Sequence, residues 1–104
     1  MKIRAKNGEQ TVDITLPATD MDIQYCMKCI GIEDIVPVCC ISEVRDEPSY
    51  FGFLKGQTVN MDELNFFARR LDGMTEYEKR VVGVYSSETG IREMKQLINL
   101  TYSL

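Results

Sequence analysis

The spacing of apolar residues changes along this 104-residue chain, and the change limits the folds open to it. In the first half, apolar residues alternate with polar ones in two short segments, as in strands with one buried face. From residue 60 they recur three and four residues apart, as in amphipathic helices. The sequence therefore predicts an α+β chain. A small antiparallel β-sheet with one helix occupies residues 1–56, and a three-helix unit follows over residues 57–104.

The dipeptide Asn7-Gly8 predicts the first turn, because a type I′ hairpin needs positive φ at both loop positions. Setting Lys6 opposite Glu9 places Ile3 against Val12 on an apolar face. The other face of the pair is charged. We therefore predict a half-exposed antiparallel hairpin.

One helix and a third strand are predicted next. Thr19 is a suitable N-cap for a helix with acidic residues in its first turn, and Gly31 is a suitable stop. Residues 35–44 are rich in β-branched residues and predict a strand, with Pro37 near its start because proline cannot donate to a ladder. We expect an aromatic cluster to pack a short strand or irregular segment onto the core: Tyr50, Phe51 and Phe53.

Three helices are predicted after residue 60. Asn60 and Thr75 are suitable N-caps, and Thr75 with Glu78 has the spacing of a capping box. Because short helices are stabilised mainly by burying an apolar stripe, the three should pack on one another. The predicted stripes are Leu64, Phe67, Ala68 and Leu71, then Tyr77, Val81, Val84 and Tyr85, and finally Ile91, Met94, Leu97, Ile98 and Thr101.

The chain contains no histidine. This excludes Ser-His-Asp triads, histidine-activated cysteine nucleophiles and histidine-containing metal sites built from this chain alone. The four cysteines fit a zinc site poorly, because adjacent strand residues point to opposite faces. We interpret them as core residues, with a zinc or redox site and disulfides as less favoured alternatives: Cys26, Cys29, Cys39 and Cys40. No enzymatic activity, metal or cofactor is predicted.

No apolar run approaches the roughly 18 residues that a membrane span needs. The N-terminus lacks the apolar region of a secretory signal. The sequence therefore predicts a cytoplasmic protein that does not enter the membrane.

Acidic residues outnumber basic ones 16 to 12, and the excess lies in residues 17–54, which carry a net charge of −5. This balance argues against direct nucleic-acid binding, including a helix-turn-helix around Gly73. Helix capping and loop solvation explain part of the charge. The alternatives are an acidic surface that attracts a basic partner, and a catalytic carboxylate pair. The candidate partner-binding residues are Asp20, Asp22, Glu33, Asp34, Glu43, Asp46 and Glu47.

The C-terminal part of the chain resembles a known family. Over residues 59–104, and most closely in the segments 62–72 and 97–102, the sequence is similar to ArdA-type antirestriction proteins of conjugative mobile elements. The resemblance implies acidic, multi-domain homodimers without enzymatic activity. Such proteins imitate bent duplex DNA and occupy the DNA-binding groove of type I restriction-modification enzymes. We also expect the family to continue beyond Leu104, so that the chain corresponds to an N-terminal portion.

The resemblance therefore implies an antirestriction function, with a type I restriction-modification enzyme as partner and the acids of residues 17–54 as the mimicking surface. The alternative is a non-catalytic protein-interaction or regulatory module of a mobile element. That module would bind through an apolar patch around Tyr50, Phe51 and Phe53.

Overall fold

The computed structural model describes residues 1–46, 50–91 and 93–103. The predicted α+β class is confirmed, and a fourth strand is added to it. Within the described ranges, no helix has the length and apolar character needed to cross a membrane. The elements are β1 (Lys2–Asn7), β2 (Gln10–Thr15), α1 (Asp20–Cys29), β3 (Val38–Val44), a 3-10 turn (Gly52–Leu54), β4 (Thr58–Asn60), α2 (Met61–Asp72), α3 (Glu76–Thr89) and α4 (Met94–Thr101).

The four strands form one antiparallel sheet in the order β2-β1-β3-β4. One face of the sheet is buried, and its residues belong to the same hydrophobic cluster as residues from α1, α2, α3 and α4. The members that the sheet contributes include Ile3, Ala5, Ile14, Ile41 and Val59. The core therefore lies between this face and the helices.

The hairpin differs from the prediction by its register. Asn7 pairs with Gln10, so the two loop residues are Gly8 and Glu9. Gly8 has a φ of 62°, whereas no described non-glycine residue has a positive φ. A glycine at the first loop position is typical of a type II′ turn, while the predicted type I′ turn would also need a positive φ at Asn7. The pairing shifts by two residues, which leaves each side chain on its predicted face.

This register places Arg4 opposite Asp13, with their Nε and Oδ1 atoms 2.8 Å apart. The Arg4 guanidinium lowers the pKa of Asp13 below its usual value, mainly through the hydrogen bond. The pair therefore stabilises the fold above the ordinary aspartate pKa, and its contribution is lost as the pH falls through the lowered pKa. Arg45 approaches the same carboxylate at 3.0 Å.

The predicted N-caps are confirmed. The hydroxyl oxygen of Thr19 accepts a hydrogen bond from the backbone N–H of Asp22 at 3.1 Å, and Asn60 Oδ1 accepts one from Asp62 at 2.9 Å. Thr75 and Glu78 form the reciprocal capping box. These side chains satisfy backbone donors that a helix leaves unpaired at its start, so the starts of α1, α2 and α3 could be read from the sequence.

Strand β3 begins at Val38, three residues later than predicted. Pro37 has no N–H for the ladder, and its carbonyl accepts a hydrogen bond from the backbone N–H of Met61 at 2.8 Å. Ile35 and Val36 consequently precede the sheet and are exposed.

The aromatic cluster after β3 is part of the core, as expected. Phe51 is buried and makes an edge-to-face contact with Phe67 of α2, with ring centroids 5.4 Å apart. Tyr50 and Phe53 are half-buried and pack against the core. The segment is irregular, with a short 3-10 turn instead of a strand.

Helix α3 faces the core with different residues from those predicted. Its buried positions are Val82, Gly83 and Ser86, while Tyr77, Val84 and Tyr85 are exposed. Gly83 explains the orientation, because its backbone lies directly against Tyr50. A Cβ at this position would collide with the Tyr50 carbonyl oxygen and lie 2.7 Å from the Tyr50 Cβ. The missing side chain lets the helix approach closely, so this face of α3 is the buried one.

We expect Gly83→Ala to destabilise the protein. Alanine in place of glycine ordinarily stabilises a helix by about 0.5–1 kcal/mol. Here the added methyl group must displace the Tyr50 backbone, and overpacking of this kind costs about 1–3 kcal/mol. Urea unfolding should therefore show a lower free energy of unfolding.

The matched control is Ser87→Ala, at an exposed position of the same helix. Its free energy of unfolding should stay within about 0.5 kcal/mol of the starting protein. If Gly83→Ala were neutral or stabilising, the proposed cause of the orientation of α3 would be wrong.

Candidate functional site

The groove between α1, the segment 31–37 and α2 is the candidate functional site, and we call it the acidic groove. It has a volume of about 630 Å³. Buried apolar side chains, Ile23 and Met27 of α1 and Ile32 after it, contribute to its lining. The lining of the groove therefore combines apolar side chains with polar side chains from α1, the segment 31–37 and α2.

Carboxylates from all three segments line this groove. Asp20 comes from the first turn of α1, Glu33 and Asp34 from the segment after it, and Asp62 from the first turn of α2. The lining also contains the cations Lys28 and Arg69. Four carboxylates against two cations leave an excess of negative charge.

A buried amide fixes the position of α1 relative to α2. Asn65 is 2% exposed. Its Oδ1 accepts a hydrogen bond from the Ala18 N–H at 2.8 Å, and its Nδ2 donates one to the Ala18 carbonyl at 2.9 Å. Ala18 lies two residues before α1 begins, so this paired contact sets where Asp20 enters the groove. Arg69, one turn further along α2, also donates to the Ala18 carbonyl, at 3.1 Å.

The charge of the groove is unevenly compensated. Arg69 Nη2 lies 4.0 Å from Asp20 Oδ1, at the limit of an ion pair. Among the residues that the structure describes, no cation comes within 4.0 Å of the carboxylates of Glu33, Asp34 or Asp62. These three exposed carboxylates are therefore available to the positive charges of a partner.

Two exposed apolar side chains stand among these carboxylates. Ile35, directly after the Glu33-Asp34 pair, is 97% exposed, and Phe66 of α2 is 42% exposed. Both line the groove. Such side chains are typical of a surface that contacts another macromolecule, because burial would remove apolar area from water.

The other predicted acids lie elsewhere. Asp22 is in the exposed first turn of α1 and does not line the groove. Glu43 is on the sheet and forms ion pairs with Arg4 at 3.6 Å and Arg45 at 3.0 Å. Asp46 accepts a hydrogen bond from the Lys2 N–H at 2.9 Å. Glu47 lies outside the described residues.

Asp46 also lines a second cleft of about 660 Å³. This cleft has equal numbers of acidic and basic side chains, which are Asp46, Asp72 and Glu76 against Lys2, Arg45 and Lys79. It therefore lacks the negative excess of the acidic groove.

Sequence reasoning missed Asp62, Ile35 and Phe66. Asp62 lies next to the N-cap of α2, where capping alone accounts for an acid. The prediction of a strand over residues 35–44 includes Ile35, although its place two residues before Pro37 indicates a position outside the ladder. Phe66 falls next to the buried stripe of α2, and helical periodicity does not show what a flanking residue contacts.

The four cysteines lie in different environments. Cys39 is buried, Cys26 and Cys40 are half-buried, and Cys29 is exposed. Burial raises the pKa of Cys39 to about 11 and also raises that of Cys26. The core interpretation thus fits Cys39 and is wrong for Cys29. Within residues 1–46, 50–91 and 93–103, no three metal-ligating side chains come together to hold an ion.

Replacing Asn65 with alanine should destabilise the contact that positions α1. The substitution leaves the Ala18 N–H and carbonyl without their buried partner, at a cost of about 1–3 kcal/mol. Denaturant unfolding measures the loss. Asn99→Ala, on the exposed side of α4, is the control and should change stability by less than about 0.5 kcal/mol. Equal losses in the two variants would contradict the role given to Asn65.

The cysteines should react with iodoacetamide in the order of their exposure. The thiolate is the reactive form, and a pKa of about 11 leaves on the order of 10⁻⁴ of Cys39 ionised at pH 7. Peptide mapping by mass spectrometry should show Cys29 alkylated first and Cys39 last in the folded protein. In denaturant the four rates should converge. Alkylation of Cys39 as fast as Cys29 in the folded protein would show that this part of the core is open.

Comparison of the chain with protein-family models, curated proteins and solved structures gave no match. The basis for a functional proposal is therefore the geometry of the acidic groove together with the resemblance in residues 59–104.

Proposed function

We propose that the chain is an antirestriction protein, and that it inhibits a type I restriction-modification enzyme by placing the acidic groove against the enzyme's DNA-binding surface. Inhibition of this kind needs no catalysis. The observation that supports it best is the set of exposed carboxylates of Glu33, Asp34 and Asp62, which lie on one open surface and have no cation within 4.0 Å among the described residues. The choice of target comes from the resemblance.

The physical basis is competition for positive charge. Duplex DNA presents about one negative charge per 1.7 Å of its axis, and its binding proteins neutralise these phosphates with lysine and arginine. A protein competitor must offer carboxylates that are not already neutralised within its own fold. Glu33, Asp34 and Asp62 meet this requirement better than Glu43, which has Arg4 and Arg45 as neighbours.

The fold also limits which acids can act together. Asp20, Glu33 and Asp34 meet Asp62 at the groove because the Asn65–Ala18 contact holds α1 beside α2. We therefore reduce the proposed acids of residues 17–54 to Asp20, Glu33 and Asp34, and we add Asp62 of α2 to the binding surface.

The second candidate function is a non-catalytic protein-interaction or regulatory module. Its predicted contact patch is wrong, since Phe51 is buried and both Tyr50 and Phe53 pack against the core. The exposure of Ile35 and Phe66 favours an interaction module that binds its partner through the acidic groove instead. In this case the partner would present apolar side chains next to its basic ones.

We expect neutralisation of the groove to weaken inhibition. The test variant combines Glu33→Gln, Asp34→Asn and Asp62→Asn, and the assay measures how well the protein displaces labelled DNA from a type I restriction-modification enzyme. Three exposed charge pairs at about 0.5 kcal/mol each correspond to about a tenfold loss of affinity. Binding by the starting protein should also weaken steeply as salt is added.

The matched control removes three exposed acids from outside the acidic groove, with Glu9→Gln, Asp22→Asn and Asp72→Asn. It has the same net charge as the test variant and should keep the starting affinity. Equal losses in the two triple variants would show that only net charge matters. Absence of displacement at low salt would rule out the proposed function for this chain.

A third variant, Ile35→Ser with Phe66→Ser, separates the two candidates. Under charge competition it should retain most of the affinity. If it abolishes binding while the groove-neutralised variant still binds in high salt, the interaction-module function is favoured.

A further inference from the structure

Two cysteines, Cys26 and Cys29, lie on the same side of α1. They are three residues apart in the helix, so their side chains are neighbours on its surface. Cys29 is exposed, whereas Cys26 is half-buried and packs against the hydrophobic core. Neither lines the acidic groove, to which α1 contributes other residues, among them Ile23 and Met27. The cysteine pair is therefore a feature of α1 that the proposed function does not use.

The helix holds these two cysteines close to the spacing of a disulfide. Residues i and i+3 of an α-helix have Cα atoms about 5 Å apart, and disulfides join Cα atoms about 4.4–6.8 Å apart. The Cβ atoms lie about 5–6 Å apart in the helix, whereas a disulfide needs about 3.5–4.5 Å. Forming the bond therefore requires the last turn of α1 to tighten by about 1–2 Å. Strained disulfides of this kind are readily reduced again.

The two thiols differ in reactivity. Burial raises the pKa of Cys26, and the charges of Cys29 and Asp22 raise it further. The influence of Cys29 on Cys26 fits two thiols that face each other. Because the thiolate is the nucleophile, the half-buried Cys26 reacts slowly with reagents in solution, and the exposed Cys29 is the first to be attacked or to attack.

Cys29 also belongs to the motif that ends α1. The Gly31 N–H donates to the Lys28 carbonyl at 3.0 Å. The Ile32 N–H donates to the Met27 carbonyl at 2.9 Å. With Gly31 at a φ of 78°, these two bonds form a Schellman motif, in which Cys29 is the last helical residue. The motif fixes the direction in which the chain leaves α1 and enters the acidic groove.

We propose that Cys26 and Cys29 form a redox site, at which a small-molecule disulfide reversibly oxidises the two thiols to a disulfide within α1. The bond tightens the last turn of the helix and disturbs the Schellman motif. Glu33 and Asp34 follow that motif directly, so oxidation shifts these two carboxylates of the acidic groove.

The reaction proceeds by two thiol–disulfide exchanges. The Cys29 thiolate attacks one sulfur of the small-molecule disulfide, which forms a mixed disulfide and releases one thiolate. The Cys26 thiolate then attacks the Cys29 sulfur and releases the second small-molecule thiolate. This step is fast for its low thiolate fraction, because the two sulfurs are held together in one helix. The protein loses two electrons and two protons, and the small-molecule disulfide takes up both and becomes two thiols.

The first experiment counts thiols in the folded protein after incubation with oxidised glutathione. Free thiols should fall from four to two, without bound glutathione, and excess reduced glutathione should restore all four. Peptide mapping under non-reducing conditions should place the bond between Cys26 and Cys29. A chain that keeps four thiols, or that gives a bond to Cys39 or Cys40, would overturn the proposal.

Two single variants test the order of the steps. Cys26→Ala should stop at a stable mixed disulfide of Cys29 with glutathione, since the resolving thiol is missing. Cys29→Ser should form no disulfide within α1. The matched control is Cys40→Ser, which removes a half-buried thiol from β3 and should still form the bond at the starting rate. A starting protein that also stops at the mixed disulfide would contradict the role given to Cys26. Circular dichroism shows whether each variant folds.

The second experiment follows the effect on the groove by the amide signals of the ¹⁵N-labelled protein. Oxidation should move the signals of residues 31–34, whereas those of α3 should stay in place. The same treatment of Cys29→Ser should leave the signals of residues 31–34 unchanged. If the disulfide forms and these signals stay in place in the starting protein, the proposed link to the acidic groove is wrong.

The consequence for DNA displacement rests on the proposed function. Oxidation moves two of the groove carboxylates, Glu33 and Asp34, and should weaken displacement about fivefold. Oxidant-treated Cys29→Ser should displace DNA as well as the reduced starting protein does. If neither the reduced nor the oxidised protein displaces DNA, the proposed function fails, while the thiol count and the amide signals still decide whether the redox site exists.

Discussion

The side-chain amide of Asn65 is the interaction on which the arrangement of the molecule most depends. It joins residues 47 positions apart by pairing with both the donor and the acceptor of the Ala18 backbone. A buried amide is tolerated only when its polar atoms are satisfied, and the backbone of Ala18 satisfies them in one place. The start of helix α1 is therefore held beside α2. The acidic groove lies between these two helices and the segment 31–37.

The acidic excess of the chain divides into two groups of different physical character. On the outer face of the sheet, Glu43 and Asp13 form ion pairs with Arg4 and Arg45. These two acids and two bases make a network without net charge. In the acidic groove, carboxylates outnumber cations and remain open to solvent. Net charge along the sequence does not distinguish these groups, because strand pairing decides which acid has a base beside it.

Much of the fold followed from local signals. Capping side chains indicated where α1, α2 and α3 start. A capping hydroxyl or amide accepts a hydrogen bond from a backbone N–H within the same turn, so the contact depends only on neighbouring residues of the sequence. The alternation of β1 and β2 gave the correct faces, but a shift of two residues preserves those faces. The two registers differ in the turn that each requires. The predicted register needs a positive φ at both Asn7 and Gly8, whereas the register that forms has a positive φ at Gly8 and not at Asn7.

The candidate site was predicted only in part. Asp20, Glu33 and Asp34 were named as candidates from the sequence and line the groove together, whereas Asp62 was not named as a candidate. Their meeting depends on the contact between Asn65 and Ala18, and a contact across 47 residues leaves no local pattern. The buried face of α3 was missed for a similar reason. Periodicity identified one apolar stripe, but backbone proximity at Gly83 selected the opposite face.

Gly83 separates two properties of α3 that are usually coupled in a helix, namely how the helix packs on the core and which apolar residues it carries. Docking of α3 depends on the absence of a side chain on one side, while the residues on the other side play no part in it. Substitutions at Tyr77, Val84 or Tyr85 can therefore accumulate without unfolding the domain. The residues that the outward face of α3 contacts and the stability of the fold can therefore change separately. This allows related chains to change what they contact while keeping the same core.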